Sequence, residues 1–219
     1  MNFRAETVSK LPNSGTSIFA VMTGLANETG AINLSQGFPD FPISQELISL
    51  VEKYMRMGFN QYAPMQGVPV LREMLSQKVE ETYGLKYDSV TEINITPGGT
   101  EAIYAAVAAL ISKGDEAIVI EPAYDSYAPA VELNGGIVKY SKMLTPDYRI
   151  NWREVESLIN PKTKLLFINS PHNPTGAVLS AADMLELERI TRNTNIVIIS
   201  DAVCEHLIFD GIRHESVCY

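Results

Sequence analysis

The sequence predicts an α/β protein in which helices cover both sides of a mostly parallel β-sheet, giving three layers. Short β-branched runs alternate with helical patterns from about residue 92 onward, as in chains that build parallel sheets. Residues 196–199 ("IVII") are continuously apolar, which is typical of a strand buried on both faces. A glycine-rich turn at residues 97–100 leads into a further helical pattern.

In the first third of the chain, the sequence predicts helices and no sheet. We expect residues 1–30 to form an irregular N-terminal arm that contains one helical piece. Residues 44–58 carry apolar side chains at helical spacing and follow Ser44, a residue type that caps helix N-termini. Residues 68–84 show a third helical pattern, which Gly84 ends.

From residue 92 the pattern predicts the alternating elements of a parallel sheet. We expect strands at residues 92–96, 116–122, 136–140, 164–170 and 195–201. We expect helices at residues 97–115, 126–136, 150–159 and 180–194.

The composition of the 219-residue chain indicates a folded, acidic protein. Hydrophobic residues make up 46% and charged residues 20%, so a packed core is expected. The net charge of -9 repels phosphate backbones, so we expect no nucleic-acid partner. No run reaches the ~18 apolar residues of a membrane span, and the N-terminus is too polar for a secretory signal. With only two cysteines, we expect reduced thiols in a cytoplasmic protein.

The residues after the predicted strands are the first candidates for a ligand site, because ligands bind at the carboxyl ends of parallel strands. The segment "TPGGTEA" (96–102) places two glycines before a helix whose free N–H groups favour a phosphate. A simple tight turn explains this segment equally well. It matches neither the GxGxxG nor the GxxxxGK[ST] pattern, so a nucleotide site has little support.

Other strand ends carry side chains with a specific chemistry. Tyr124 and Tyr127 offer aromatic faces on which a flat ring can stack, although core packing alone would explain them. Asp201 follows an apolar strand, where a carboxylate needs a cation or donors, or else caps a helix. The amide of Asn173 can hold a ligand oxygen or close a turn. Together with the glycine-rich turn, these groups suit pyridoxal 5′-phosphate (PLP), which has a phosphate, an aromatic ring, a basic nitrogen and a polar oxygen.

Six segments carry a family resemblance: "LSQGFPDF", "NQYAPMQG", "TPGGTEAIY", "EPAYDSYAPA", "NSPHNPTG" and "SDAVCEH". They resemble the class I and II aminotransferases of PLP fold type I, and within these the subgroup of methionine and kynurenine aminotransferases. The resemblance runs from about residue 10 to the C-terminus. It implies that residues 31–219 form part of the large PLP-binding domain. It also implies transfer of an amino group from a methionine-, glutamine- or aromatic-type amino acid to a 2-oxo acid.

The resemblance implies roles for individual residues in binding the cofactor. The phosphate would be held by Gly99 and Thr100, the pyridine ring by Tyr124, its 3-oxygen by Asn173 and its nitrogen by Asp201. The family usually has a tyrosine where this chain has Cys204, a shorter and weaker donor. We therefore expect weaker tuning of the cofactor at that position.

Further residues would act on the substrate or across a subunit interface. By resemblance, Gly37, Asn169 and Asn173 lie at the substrate, and Tyr62 reaches the phosphate bound by a neighbouring subunit. The family resemblance thus implies a homodimer. It also makes the bond between Asn173 and Pro174 a candidate cis peptide bond.

The resemblance further predicts that the chain is an N-terminal piece of such an enzyme. The family's Schiff-base lysine lies beyond the strand that ends at Asp201, and none of the nine lysines here follows that residue. The arginine that binds the substrate carboxylate and the smaller second domain would also lie further on. We therefore expect the isolated chain to be inactive. Two other functions stay open, namely a non-catalytic protein that binds PLP or a partner subunit, and a PLP-dependent C–S β-lyase.

Overall fold

The computed structural model describes residues 8–12, 15–37, 39 and 41–218. Residues 1–7 and 13–14 of the expected N-terminal arm lie outside the described residues. The chain divides into two compact units. Residues 12–65 form the smaller unit, and residues 66–218 with residues 8–11 form the larger one.

The smaller unit contains two helices, α1 (Ile18–Thr29) and α2 (Gln45–Arg56). Both confirm the expected helical segments. The hydroxyl of Ser17 accepts the Ala20 N–H at 3.3 Å and caps α1, which ends at Gly30 in the left-handed conformation. Ser44 occupies the N-cap position of α2 as expected, but its side chain makes no capping hydrogen bond.

The larger unit is built on four parallel strands. They are β1 (Glu116–Glu121), β2 (Ile137–Lys142), β3 (Thr163–Asn169) and β4 (Val197–Asp201). Their order across the sheet is β2-β1-β3-β4, so the two halves of the sheet run outward from β1 and β3. The strands confirm the predicted parallel sheet. All four carboxyl ends therefore lie along one edge, where a ligand site is expected.

Five helices belong to the same unit: α3 (Pro69–Tyr83), α4 (Gly99–Leu110), α5 (Tyr127–Leu133), α6 (Trp152–Leu158) and α7 (Ala181–Thr191). Each falls within a predicted helical segment, and the ends differ by a few residues, as helix ends commonly do. Gly84 ends α3 in the left-handed conformation, as predicted. None of the described helices combines the length and apolar character required to cross a bilayer.

Two apolar clusters flank the sheet and make three layers. Successive side chains of a strand point to opposite faces. On β1 and β3, side chains at even-numbered positions join the cluster with α6 and α7, and side chains at odd-numbered positions join the cluster with α4 and α5. Residues buried in this way include Ile118, Val119, Leu165, Leu166 and Phe167. Each fully buried aliphatic or aromatic side chain stabilises the fold by about 1.5–3 kcal/mol, so β1 and β3 anchor the sheet.

The expected strand at residues 92–96 is wrong, because no described strand pairs with it. The Ile95 N–H donates instead to the Gln66 carbonyl at 3.0 Å, a single bond to a loop rather than a ladder. The buried guanidinium of Arg72 binds the carbonyls of Ser89 and Val90 just before this segment, at 2.6 and 3.2 Å. The apolar residues that suggested a strand therefore attach a loop to the start of α3.

Candidate functional site

A cleft of about 540 Å³ lies at the carboxyl ends of β3 and β4. Its walls include five residues that the sequence analysis selected, Gly99, Thr100, Tyr124, Asn173 and Asp201. They come from four separate stretches of the chain. The fold therefore brings together a helix N-terminus, an aromatic ring, an amide and a carboxylate, and the volume lies in the range of small-molecule sites.

The N-terminus of α4 supplies one wall of this cleft. Gly98 is the N-cap, with φ 104° and ψ 164°, a backbone conformation open essentially to glycine alone. The first intrahelical bond runs from the Ala102 N–H to the Gly98 carbonyl at 3.2 Å. The N–H groups of Gly99 and Thr100 therefore have no acceptor within the helix and are available to an anion.

Tyr124 forms the aromatic part of the wall and is tied to the helix N-terminus. Its hydroxyl lies 3.1 Å from Oγ1 of Thr100. Its ring meets the ring of Tyr127 edge to face, with centroids 5.7 Å apart and an angle of 74°. The two contacts restrain the Tyr124 side chain, which lines the cleft.

Asp201 ends β4, and its carboxylate is already held by the protein. Oδ2 accepts the Tyr127 hydroxyl at 2.7 Å, and Oδ1 accepts the Val203 N–H at 3.1 Å. Each carboxylate oxygen accepts about two hydrogen bonds, so both retain capacity for a donor from the cleft. A ligand group with a protonated nitrogen would donate a further hydrogen bond to this carboxylate.

Tyr127 positions Asp201 from the buried side. Its side chain is 3% exposed and stacks on Phe167 with centroids 4.9 Å apart and an angle of 20°. Burial, and then the hydrogen bond to Asp201, raise the pKa of the Tyr127 phenol. The phenol therefore keeps its proton and acts as a donor to the carboxylate.

Asn169 lies beneath the cleft and joins two of its residues. Its side-chain Nδ2 donates to the Asp201 carbonyl at 2.8 Å, and its Oδ1 accepts the Asn173 N–H at 2.6 Å. Asn169 and Asp201 are also register partners at the ends of β3 and β4. The buried Asn169 thus fixes the backbone from which both cleft residues project, and it is not among the residues that line the cleft.

The loop at residues 169–176, called the Asn loop below, is closed by its own hydrogen bonds. The Gly176 N–H donates to the His172 carbonyl at 2.7 Å, and Nδ1 of His172 lies 2.8 Å from Oγ1 of Thr175. The bond between Asn173 and Pro174 is cis, which confirms the expectation. Burial lowers the pKa of the His172 imidazole. The neutral ring therefore belongs to the scaffold of the loop.

Three sequence-predicted residues lie elsewhere. Cys204 lines a neighbouring cleft of about 470 Å³, which shares Asn173 with the first cleft. Gly37 and Tyr62 belong to the smaller unit, where the Tyr62 side chain is fully exposed. The role of Gly37 at a substrate and the role of Tyr62 at a neighbouring subunit stay predictions.

Sequence reasoning missed the hydrogen bond between Tyr127 and Asp201. It treated Tyr127 as a possible stacking face or as a core aromatic, because nothing in local spacing pairs two residues 74 positions apart. The available signal was the apolar strand before Asp201, which requires a donor for the carboxylate. The donor comes from α5, in the crossover between β1 and β2, and reaches β4 across β3.

Such a cleft is typical of α/β proteins that bind ligands at the carboxyl ends of a parallel sheet. Comparison with known proteins identifies one family within this class. The family described as aminotransferase class I and II matches residues 29–218, and the chain belongs to that family.

Individual relatives agree with the family. A methionine aminotransferase of Escherichia coli (strain K12) is 46% identical over 209 residues, which cover 95% of this chain and 54% of that protein. A probable N-succinyldiaminopimelate aminotransferase, DapC, of Mycobacterium tuberculosis is 42% identical over 211 residues, covering 95% and 53%. The solved structure of an Escherichia coli protein with a methionine aminotransferase function superposes with a TM-score of 0.92 at 44% identity, covering 97% of this chain and 55% of that one. The chain therefore spans about half the length of the relatives it matches.

Proposed function

We propose that this chain holds PLP in the cleft beside Asp201 and that it serves a PLP-dependent aminotransferase. Such an enzyme transfers an amino group from an amino acid to a 2-oxo acid. The observation that carries the proposal is that five residues of different chemistry, selected from sequence, line one cleft in a chain of the aminotransferase family.

The residues of the cleft fit the parts of PLP one by one. The free N–H groups at the start of α4 suit its phosphate, and the carboxylate of Asp201 suits its ring nitrogen. The Tyr124 ring suits the face of the pyridine, and the exposed Asn173 suits its polar oxygen.

When bound, PLP supplies an electron-withdrawing ring that stabilises negative charge on the substrate carbon. The residues of this chain orient that ring. Asp201, with Oδ2 fixed by Tyr127 and Oδ1 fixed by Val203, would hold a proton on the ring nitrogen by its negative charge. Tyr124, tied to Thr100, would lie against the pyridine ring and restrict its orientation.

Among the residues that line the cleft there is no lysine. We therefore propose that this chain alone holds PLP by non-covalent contacts and without turnover. For the whole protein we keep the proposal of a methionine-, glutamine- or aromatic-type amino donor, and the names of a methionine aminotransferase and an aromatic-amino-acid aminotransferase among its relatives support the first and the last of these. Gly37 and Asn169 remain our candidates near that substrate, and Tyr62 our candidate for a contact across a homodimer.

The proposal is tested by equilibrium dialysis of the 219-residue chain against PLP, pyridoxal and inorganic phosphate. We expect PLP to bind at least about tenfold more tightly than pyridoxal, because only PLP carries the anion that the α4 N-terminus favours. Inorganic phosphate should compete with PLP. Binding should reverse completely on dialysis, since no covalent bond is formed.

Asp201→Asn tests the carboxylate, with Asp147→Asn as its matched control at an exposed position outside the cleft. Loss of a charged hydrogen bond should weaken PLP binding by about tenfold or more in Asp201→Asn. Asp147→Asn should bind as the unmodified chain does. Absence of PLP binding to the folded chain, or equal binding by the two variants, would contradict the proposal.

A further inference from the structure

Glu205 attaches the turn after β4 to α3. The turn comprises residues 201–205 and forms part of the wall of the cleft. Oε1 of Glu205 forms an ion pair with Nζ of Lys78, and Oε2 accepts the Tyr83 hydroxyl at 2.5 Å. Lys78 and Tyr83 both belong to α3 and precede Glu205 by 127 and 122 positions. A single side chain therefore joins a wall of the cleft to a helix that does not itself line the cleft.

The turn is also closed by hydrogen bonds of its own. The Val203 N–H donates to Oδ1 of Asp201 at 3.1 Å, and the Glu205 N–H donates to the Ala202 carbonyl at 2.9 Å. Ala202 and Val203 line the cleft together with Asp201. Both hydrogen bonds lie within the turn, so they fix its shape. The side chain of Glu205 fixes the position of the turn against α3.

The contacts of Glu205 differ from those of an ordinary surface ion pair. Exposed ion pairs contribute little, because water and salt screen both charges. The pair between Lys86 and Glu80, at 3.2 Å, is of this kind, since the Glu80 side chain is 48% exposed. The Glu205 side chain is only 16% exposed, and it has two partners on α3 instead of one. Its contacts are therefore screened less than those of Glu80.

Glu205 makes these contacts as an ionised carboxylate. Burial raises the pKa of its carboxyl, but the hydrogen bonds from Lys78 and Tyr83 outweigh burial, and the net pKa is lowered. Nε2 of His206 lies 3.4 Å from Oε1 of Glu205, on a side chain that is largely exposed. Hydrogen bonds to an ionised acceptor are stronger than those to a neutral amide. The charge of Glu205 is therefore part of the attachment.

We propose that Glu205 is a positioning residue, which holds the turn after β4 against α3 and thereby keeps the Asp201 carboxylate in place in the cleft. Oδ2 of that carboxylate is held from the sheet by Tyr127, and Oδ1 is held by the Val203 N–H of the turn. Without the Glu205 side chain the turn keeps its shape but is no longer attached to α3. Movement of the Val203 N–H then releases Oδ1, and the carboxylate loses one of its two fixed donors.

Hydrogen exchange at the Val203 amide, measured by NMR on the 219-residue chain, tests this directly. The Val203 N–H is the donor to Oδ1 of Asp201, so its protection reports whether the turn holds the carboxylate. An amide in an exposed turn exchanges through local opening, whereas amides of the core strands exchange through larger unfolding. We expect Glu205→Ala to accelerate exchange at Val203 by about tenfold, the low end for a charged hydrogen bond because Lys78 is partly exposed.

Three further variants separate positioning from loss of stability. Glu205→Gln keeps the length and an acceptor but loses the charge, so exchange at Val203 should rise by only about threefold. Glu80→Gln, the matched control at the exposed pair, should leave Val203 unchanged. Val155→Ala, a buried change in α6, should accelerate exchange of the core strands and leave Val203 unchanged.

Exchanging the charges of Glu205 and Lys78 provides a rescue. Glu205→Lys and Lys78→Glu should each place like charges together and accelerate exchange at Val203, and the two combined should restore most of the protection. Lys78 is preferred to Tyr83, because the Tyr83 hydroxyl also lies 2.8 Å from Nδ1 of His214. Nε2 of that ring lies 2.9 Å from the Ser170 carbonyl, so a change at Tyr83 would also disturb the Asn loop.

Equilibrium dialysis measures the consequence for PLP, and this part alone rests on the proposed function. We expect folded Glu205→Ala to bind PLP about threefold or more weakly, because one fixed donor of the cleft carboxylate is lost. Glu80→Gln and Val155→Ala should bind as the unmodified chain does, once circular dichroism shows that they are folded. If the unmodified chain binds no PLP, the proposed function fails and exchange at Val203 still decides the role of Glu205.

The proposal is supported if Glu205→Ala accelerates exchange at Val203, Val155→Ala does not, and the exchanged charges restore protection. It is overturned if Val203 in folded Glu205→Ala exchanges as in the unmodified chain, or if Val155→Ala accelerates it equally. If Glu205→Ala fails to fold, Glu205→Gln and the exchanged pair decide by the same measurement.

Discussion

The hydroxyl of Tyr127 donates to Oδ2 of Asp201 at 2.7 Å, across the strand that separates them in the sheet. Tyr127 follows β1, Asp201 ends β4, and the Tyr127 ring crosses β3 by stacking on Phe167 at 4.9 Å. A carboxylate at the end of an edge strand is thus fixed by the best-buried part of the sheet. The cleft is organised before any ligand enters, which lowers the cost of binding one.

Tyr127→Phe should destabilise the chain by about 1.5–3 kcal/mol, because it removes a hydrogen bond to a charged group and leaves the ring in place. Urea unfolding followed by circular dichroism measures this free energy. Tyr124→Phe is the matched control, since the Tyr124 hydroxyl contacts Thr100 at a more exposed position. The control should cost less than about 1 kcal/mol. Equal losses in the two variants would show that Asp201 gains nothing from its partner.

The glycine pair at the start of α4 gives a second prediction. Gly98→Ala should destabilise the chain by about 1–3 kcal/mol, because alanine is strained at φ 104° whatever the space around it. Gly99→Ala should be neutral or stabilising by up to about 1 kcal/mol, since Gly99 is helical and nothing lies within 4 Å of the added Cβ. Urea unfolding compares the two.

The same pair separates folding from anion binding. On our proposal that the α4 N–H groups hold the phosphate of PLP, Gly98→Ala should also weaken PLP binding in equilibrium dialysis, and Gly99→Ala should weaken it less. A Gly98→Ala chain that keeps full affinity would exclude this N-terminus as the phosphate site.

Asn169 and Asn173 allow a matched test of positioning. Asn169→Ala leaves the Asn173 N–H and the Asp201 carbonyl without their side-chain partner in a buried place, which should cost about 2–4 kcal/mol. Asn173→Ala removes an exposed side chain and should change stability by less than about 0.5 kcal/mol. PLP binding should fall in both, in the first through the displaced backbone and in the second through the lost amide. A stable Asn169→Ala chain would contradict the positioning role.

The architecture was readable from sequence where local composition decides structure. Continuous apolar runs predict strands, and β1 and β3 are buried on both faces. The expectation of burial on both faces for residues 196–199 is wrong, because β4 lies at the end of the described strand order and Val197 is 42% exposed. The glycines before α4 predict a turn into a helix, as found. Residues 92–96 show the limit, because a short apolar run becomes a strand only if a partner strand exists. Whether a partner strand exists depends on residues that are far away in the sequence.

The candidate site, like the fold, has one part that the sequence predicts and another part that it does not. The residues at the strand ends could be selected because a parallel sheet brings its carboxyl ends together. Contacts such as Tyr127 with Asp201, or His214 with Ser170, join residues 74 and 44 positions apart and depend on how crossovers pack. No spacing rule predicts them, so sequence analysis selected five residues that line the cleft but missed these positioning contacts.

The buried ring of His172 gives the last prediction, a loss of stability in mild acid. Burial lowers the pKa of His172 below the ordinary value of about 6.5. The folded chain therefore binds a proton at this ring more weakly than the unfolded chain does. The free energy of unfolding should fall as the pH drops from about 6.5 through the lowered pKa, and it should be unaffected above that window. His172→Gln should remove this part of the pH dependence, and His206→Gln, at a largely exposed ring, should keep it. Urea unfolding at several pH values measures all three chains, and an unchanged slope in His172→Gln would assign the acid sensitivity to another group.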